Sequence, residues 1–281
     1  MSSPATPKLS IEALAALIPD GARIALPPDN YSGCAMTIIR ELMRRQVRDL
    51  HVIGVPVCGF QADQLIGAGC VARVEAAAVT LGEHGPAPRF VAALKAGLIE
   101  MWDATCPAIH AGLQAAEKGI PFMPLRGIIG SDLLAVRPDW RVIQNPLAES
   151  GVQDPIVVLP AIKPDVALFH AEKADRHGNV WIGVRRELML MAHAAARTYV
   201  TVERVEDQDY LADPALAAGT IPSLYVTAIA EAPRGAWPIG LAGCYEPDVA
   251  ALAAYAAAAR SEQGFAAWRA EACRTREPAL A

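Results

Sequence analysis

The sequence predicts a three-layer α/β fold, an open and mostly parallel sheet with helices on both faces, and three observations predict it. Short apolar runs bounded by turn residues recur at 22–26, 50–55, 72–79, 98–102, 156–160, 166–169, 199–203 and 225–229, as buried strands do. Helical patterns fill several of the intervals, and strands alternating with helices imply parallel pairing covered on both faces. The 281 residues, 53% of them hydrophobic, are enough for a substantial core. No repeat or low-complexity linker divides them, so one domain over 1–281 is expected.

Ser10 stands as N-cap to a short helix over 11–18, which Asp20-Gly21 ends. After the first strand, a loop over 27–33 leads into a helix over 34–46 with Arg40, Arg44 and Arg45 on its polar side. The strand at 50–55 ends at Pro56, a helix over 63–69 stops on glycine, and the strand at 72–79 follows. Gly67-Ala68-Gly69 is not a dinucleotide fingerprint, because no GxGxxG follows a strand. Helices are expected over 90–95 and 108–118, and a short strand with a glycine-bearing turn over 121–132. Residues 136–154, rich in Pro, Arg, Asp, Asn and Gln, read as a long irregular excursion over the cleft. A helix over 186–197 presents Leu188, Met191 and Ala195 on one face, 232–238 is a rigid turn, and 247–260 is an alanine-rich helix.

The stretch 164–183 is the expected centre of function. Its strand at 166–169 stops in a charged turn, Glu172 to Arg176, and then His177-Gly178-Asn179. Such a loop places polar groups at the edge of a sheet, where open α/β folds put their sites.

Composition excludes several classes. Lys and Arg number 25 against 30 Asp and Glu, a net charge of −5 with no basic run, which argues against a nucleic-acid footprint. No apolar stretch reaches the roughly 20 residues of a bilayer span; 214–230 is uncharged but broken by Gly219 and Pro222. The N-terminus lacks the pattern of a signal peptide, so a cytoplasmic location is expected. Six cysteines, Cys34, Cys58, Cys70, Cys106, Cys244 and Cys273, show neither CxxC nor metal spacing and read as mostly small buried hydrophobes. No metal site is expected.

Several blocks in fixed order carry a resemblance: DGARIAL, ELMRRQVRDL, DQLIGAGCVARV, GEHGPAPRF, AGLQAAEKGIPFMPLRGIIGSDLL, LPAIKPDVALFHAEKADRHGN, VTVERVED and APRGAWP. Together, across about 19–268, they resemble the alpha (A) subunits of family I coenzyme A transferases, the group of the glutaconate, 3-oxoacid and 3-oxoadipate transferases. The resemblance implies a hetero-oligomer in which this chain is the alpha subunit, while a separate beta subunit carries the nucleophilic glutamate in a motif like Glu-Asn-Gly. It implies an acyl-CoA and a carboxylic acid as substrates, with the coenzyme A thioester consumed and no cofactor held permanently. The glutamate attacks the thioester to give a mixed anhydride and CoA thiolate; the thiolate returns to form a glutamyl thioester, from which the acceptor acid takes CoA. A dry cleft and oxyanion donors are needed, because water would destroy the anhydride.

Candidate site residues follow from both readings. In the resembling family the 27–33 loop is glycine-rich; here Pro27-Pro28 replaces the glycines and removes donors, leaving Asn30, Tyr31 and Ser32 to bind substrate or to form a plain surface turn. Glu83, in Gly82-Glu83-His84-Gly85, imitates the beta-subunit motif and is a catalytic candidate, although a loop-organising role is the simpler reading. In related CoA-dependent hydrolases that open steroid rings, a DEG-like sequence bearing a catalytic acid stands where this chain puts Cys106-Pro107, with Asp103 close by. Cys106 is thus either a reactive thiol at a helix N-terminus or an inert pocket-lining residue. His177 and Asn179 either bind a carboxylate or CoA phosphate, or belong to a demanding turn. Two alternatives to the transferase stand: the alpha subunit of a ring-opening C–C hydrolase, and a non-catalytic subunit that binds acyl-CoA.

Overall fold

The computed structural model describes residues 6–30 and 33–274. Its main sheet is built outward from β1 (Arg23–Leu26). On one side β1 pairs in parallel with β2 (Leu50–Gly54), β2 with β3 (Val71–Ala76) and β3 with β4 (Glu100–Asp103). On the other side β1 pairs in parallel with β8 (Val166–Asp175), β8 with β10 (Arg197–Glu206) and β10 with β12 (Ala228–Glu231). The order of strands therefore reverses between β1 and β8, the topological switch point of the sheet. Two short antiparallel strands, β9 (Val180–Trp181) on β8 and β11 (Thr220–Ile221) on β9, complete the nine strands.

Alternation along the strands sends side chains to two cores. Ile24, Leu26, Leu168 and Tyr199 face a core closed by α1 (Ile11–Ala16), α2 (Met36–Arg45), α3 (Phe60–Gly67), α4 (Pro88–Lys95), α9 (Val249–Ala258) and α10 (Glu262–Ala272). Ala25, Ala167, Phe169 and Val200 face the second core, against α5 (Cys106–Glu117) and α7 (Arg186–Ala194). This is the expected three-layer, mostly parallel α/β architecture. The caps are local: Ser10 Oγ accepts from the Ala13 N–H at 3.1 Å, Thr105 Oγ1 from Ala108 at 3.2 Å and Ser261 Oγ from Gly264 at 3.0 Å.

Four expectations are corrected. The strand opening at Val166 does not stop at Phe169 but runs to Asp175, because its charged residues pair across strands: Glu172 with Arg204 at 3.0 Å and Lys173 with Glu206 at 3.5 Å. The excursion over 136–154 is not wholly irregular. It contains β6 (Arg141–Gln144), which with β5 (Phe122–Leu125) and β7 (Pro155–Pro160) forms a separate antiparallel sheet in the order β5-β7-β6, so 156–160 does not belong to the main sheet. The run at 225–229 becomes a strand only at Ala228, after a 3₁₀ turn over Ser223–Tyr225. Arg40 is not on a solvated face; its guanidinium is folded in and donates to the Trp237 carbonyl at 3.1 Å. The short helices α6 (Leu133–Val136) and α8 (Pro214–Ala217) lie in connections. Among the described residues no helix is long and apolar enough to cross a membrane.

Candidate active site at the switch point

The carboxyl ends of β1 and β8 open the crevice where ligands bind in sheets of this kind. Leu26 leaves β1 into the 27–33 loop, and both prolines there present carbonyls: Gln61 Nε2 donates to Pro27 O at 2.9 Å and the Cys34 thiol to Pro28 O at 3.6 Å. Asp29 turns its carboxylate inward, accepting from the Phe60 N–H that opens α3, from Gln61 Nε2 at 3.2 Å and from Cys34 Sγ at 3.3 Å. Burial raises its pKa to about 6 in spite of those bonds. Burial also pushes the Cys34 and Cys58 thiols upward, which keeps them protonated and inert. Asn30 is exposed on this loop, and Tyr31 and Ser32 lie outside the described residues. Gly33 closes the loop against β8, its carbonyl accepting from the His170 N–H at 2.7 Å. With φ +98° and a would-be Cβ only 2.0 Å from His170 O, this position admits glycine alone.

His170 and Glu203 form the polar centre beside that loop. His170 is fully buried, with Nδ1 2.8 Å from Thr201 Oγ1 and Nε2 2.6 Å from Glu203 Oε1. Glu203 also accepts from the Tyr245 hydroxyl at 2.8 Å and from the Arg234 N–H at 2.6 Å. Burial lowers the His170 pKa, outweighing its carboxylate partner, so the ring is neutral. Burial opposes ionisation of Glu203 too, but the bonds from His170, Arg234 and Tyr245 prevail and hold its pKa below the usual carboxylate range. A neutral imidazole donating to a carboxylate satisfies both directions. Gly235 packs on the ring, for a Cβ there would stand 2.6 Å from His170 Cε1. Neither residue is a candidate from sequence. Their pairing arises from strand register, Thr201 opposite His170, across 33 positions of chain.

The other candidates are dispersed. Asp103 and Cys106 are exposed at the carboxyl end of β4, the edge strand, separated from β1 by β2 and β3. Asp103 Oδ1 accepts from the Ala104 N–H at 2.9 Å, and its main-chain carbonyl accepts from Arg137 at 3.2 Å. Arg137 is buried and bonded to Glu75 at 2.8 Å and Asp139 at 2.9 Å, with its guanidinium 4.4 Å from the Trp140 ring centroid. That cluster pins the connection before β6 to β3 and β4. Glu83 is exposed on the 3₁₀ turn Gly82–His84, next to the start of α3, where the His84 and Phe60 rings stand 5.9 Å apart.

The turn after β8 is filled by its own hydrogen bonds. The buried Asp175 carboxylate accepts from the N–H groups of His177 at 2.8 Å, Asn179 at 2.9 Å and Tyr210 at 2.9 Å, and from Asn179 Nδ2 at 2.7 Å. Asn179 is itself buried, its Oδ1 accepting from the Ser223 N–H at 2.7 Å. His177 is exposed beside Arg176. Asp175 and Asn179 thus shape the turn, and Arg176 and His177 face solvent. Among the described residues no cluster of His, Cys, Asp and Glu is arranged to hold a metal ion.

The sequence and the fold have counterparts among known proteins. A family model described as Coenzyme A transferase matches residues 8–232. The chain is 31% identical over 265 residues to the A chain of the 3-oxoadipate CoA-transferase of Pseudomonas knackmussii, covering 92% of this chain and 89% of that protein. It is 31% identical over 242 residues to the cholesterol ring-cleaving hydrolase IpdA subunit of Rhodococcus jostii, covering 82% and 79%. It spans only 56% of an uncharacterised Archaeoglobus fulgidus protein to which it is 30% identical over 259 residues. Among solved structures it superimposes on glutaconate coenzyme A-transferase from Acidaminococcus fermentans with a TM-score of 0.85 at 27% identity, over 95% of this chain and 88% of that one. By sequence and by the layered sheet alike, the chain belongs to the coenzyme A transferase family.

Proposed function

We propose that this chain, acting as one domain over 1–281, is the alpha subunit of a cytoplasmic two-chain transferase that moves coenzyme A from an acyl-CoA to a carboxylic acid, with the nucleophilic glutamate on a beta subunit. The observation that carries the reading is the state of the enclosed carboxylates at the switch point. Asp29 and Glu203 are each consumed by three hydrogen bonds from this chain's own groups. A carboxylate so held is a poor nucleophile, because its oxygens are engaged by donors and attack would require breaking those bonds. Glu83 is exposed on a surface turn, without the dry surroundings that an anhydride requires. The reactive carboxylate is therefore best supplied by another polypeptide closing over the rim, a reading that the relatives from two-chain transferases support.

In this reading Asn30 on the switch-point loop, His177 beyond it, and Asp103 and Cys106 at the end of β4 are the positions that meet substrate or partner; Ser32, the other expected binding residue, lies outside the described residues. Asn179 acts through the turn it shapes. The coenzyme A thioester is substrate, and no resident cofactor is required. Free thiols at all six cysteines accord with a reducing compartment.

Co-purification with a beta-type chain tests the proposal. The isolated chain is expected to leave acyl-CoA unchanged, whereas the pair transfers CoA to an added acid and accumulates a hydroxylamine-sensitive glutamyl thioester on the partner. Turnover by this chain alone, or a thioester on it, would overturn the assignment. Consumption of thioester by water would select the hydrolase alternative, and binding of acyl-CoA by the pair without turnover would select the assembly role.

A further inference from the structure

Among the described residues, three other than glycine adopt a left-handed backbone: Gln46, Asp49 and Arg234, with φ +54°, +57° and +55°. Gln46 is the C-cap of α2, where helices commonly turn left-handed, and the short polar side chain of Asp49 tolerates that region. Neither reason covers Arg234, a long side chain in the 232–238 turn. Glycine would adopt its φ without strain, so the arginine stands there at a cost, and strain of this kind gathers at ligand-binding sites. The side chain is held in place yet unpaired. Its guanidinium lies 5.4 Å from the Tyr245 ring centroid, and Nε is buried with no hydrogen-bond partner among the described residues. The terminal nitrogens make no hydrogen bond either, and the half-buried residue leaves them to solvent. Glu203 gives its oxygens to His170 Nε2, the Tyr245 hydroxyl and the Arg234 main-chain N–H, none to the guanidinium. Glu172 is paired with Arg204 at 3.0 Å.

The turn emerges on the same edge of the sheet as the switch-point loop, because β12 runs parallel to β10, β10 to β8 and β8 to β1. It also packs where that loop ends: Gly235 O accepts from the Thr37 N–H in the first turn of α2 at 3.1 Å, and Gly235 lies on the ring of His170, whose N–H bonds Gly33 O. A guanidinium offers donors only, so the partner it lacks is an acceptor, and a cation already fixed in place on the rim is preorganised for a charged one. We propose that Arg234 anchors an oxyanion subsite on the switch-point rim, its guanidinium taking a carboxylate of the acid substrate or a phosphate of coenzyme A. The identity of these ligands rests on the transferase reading; the unclaimed cation on the rim does not.

The test is a calorimetric titration of the full chain with its co-purified partner, or alone should nothing co-purify, comparing wild type with Arg234→Met. Coenzyme A is set against pantetheine, which lacks every phosphate, and glutarate against glutaramide, which lacks every carboxylate. If the subsite takes phosphate, Arg234→Met should weaken coenzyme A at least about tenfold and leave pantetheine unchanged; the same contrast between glutarate and glutaramide marks a carboxylate. Arg234→Gly keeps the main-chain N–H and relieves the backbone, so it should show the same selective loss while melting no lower than wild type. Equal losses for charged and neutral ligands, no loss for any, or wild-type binding of neither coenzyme A nor glutarate would overturn the proposal. So would a glycine variant that melts lower, which makes the arginine a structural strut, or loss of the partner from Arg234→Met, which puts it in the subunit interface. Absence of turnover by the wild-type pair would sink the transferase reading alone, since the binding contrasts are read without it.

Discussion

Asp29 titrates far from an ordinary aspartate because its carboxylate is sealed between the 27–33 loop and the start of α3, even though the residue as a whole is only half-buried. Burial raises its pKa from 3.8 to about 6, so between those values the folded chain holds a proton that the unfolded chain has released. The unfolded state then binds fewer protons, and stability falls as pH rises through this window, the cost being complete above about 6. Asp29→Asn cannot ionise. Its unfolding free energy should lose this contribution, so that mutant and wild type diverge between pH 4 and 7 by on the order of 2 kcal/mol in denaturant titrations. Parallel curves across that range would show that the wild-type carboxylate is better solvated than its surroundings imply. Sequence offers little warning of Asp29, which stands in a loop whose prolines draw the attention, and none of the His170–Glu203 pair. A histidine at the end of an apolar run reads as strand punctuation, and only the register of β8 against β10 brings the glutamate to it.

Elements are legible where the local pattern alone decides them. Ser10 and the helix after it, β1, β2 and the alanine-rich α9 follow from caps, apolar runs and periodicity. The far half of β8 is not legible, because Glu172 and Lys173 are acceptable in a strand only once Arg204 and Glu206 of β10 reach them as ion-pair partners. Of the β5-β7-β6 sheet, the strands within 121–132 and at 156–160 are legible, but β6, exposed along its whole length, and the pairing of the three apart from the main sheet are not. The contact between the 27–33 loop and β8 makes a sharper prediction at this scale, since Gly21 and Gly33 both have positive φ but differ in surroundings. A Cβ at Gly21 would meet nothing within 4 Å, while one at Gly33 would meet His170 O at 2.0 Å. Gly21→Ala should therefore cost only the backbone strain, about 1 kcal/mol. Gly33→Ala must in addition push the loop off β8 and break the His170 N–H bond, for a loss on the order of 3 kcal/mol. Equal midpoints for the two variants in thermal denaturation would mean that the loop is not held to the strand as the geometry has it.

Across the whole molecule, burial is uneven in a way that sets the order of opening. The two cores flanking β8 and β10 contain side chains with no exposure, among them Leu168, Phe169 and Val200. Half of the exposed large hydrophobics among the described residues fall instead between Ile120 and Val152, including Phe122, Val136, Val142 and Leu147, the last 90% exposed. The 120–140 part of this region is tied to the second core by the buried Ile128 and Trp140 and by the buried Arg137 on Glu75 and Asp139, whereas the 141–154 part is held at its far end by the peripheral pair of Arg126 on Asp154 at 2.8 Å. Exposed ion pairs contribute little, and a three-stranded sheet with one wet face has few apolar contacts to lose on opening. Arg137, buried against Trp102 and Trp140, and the buried Ile128 anchor the 126–140 part, so opening should begin on the β6–β7 side of that anchor. Hydrogen exchange read by mass spectrometry should therefore show peptides over 141–154 exchanging first, 126–140 next, and β8 and β10 last, at rates approaching global unfolding. Limited proteolysis should cut first within 145–154 and leave the main sheet folded. If β8 exchanged before β6, or if cleavage in this hairpin unfolded the chain, the small sheet would have to be an integral part of the main core, contrary to the distribution of buried side chains.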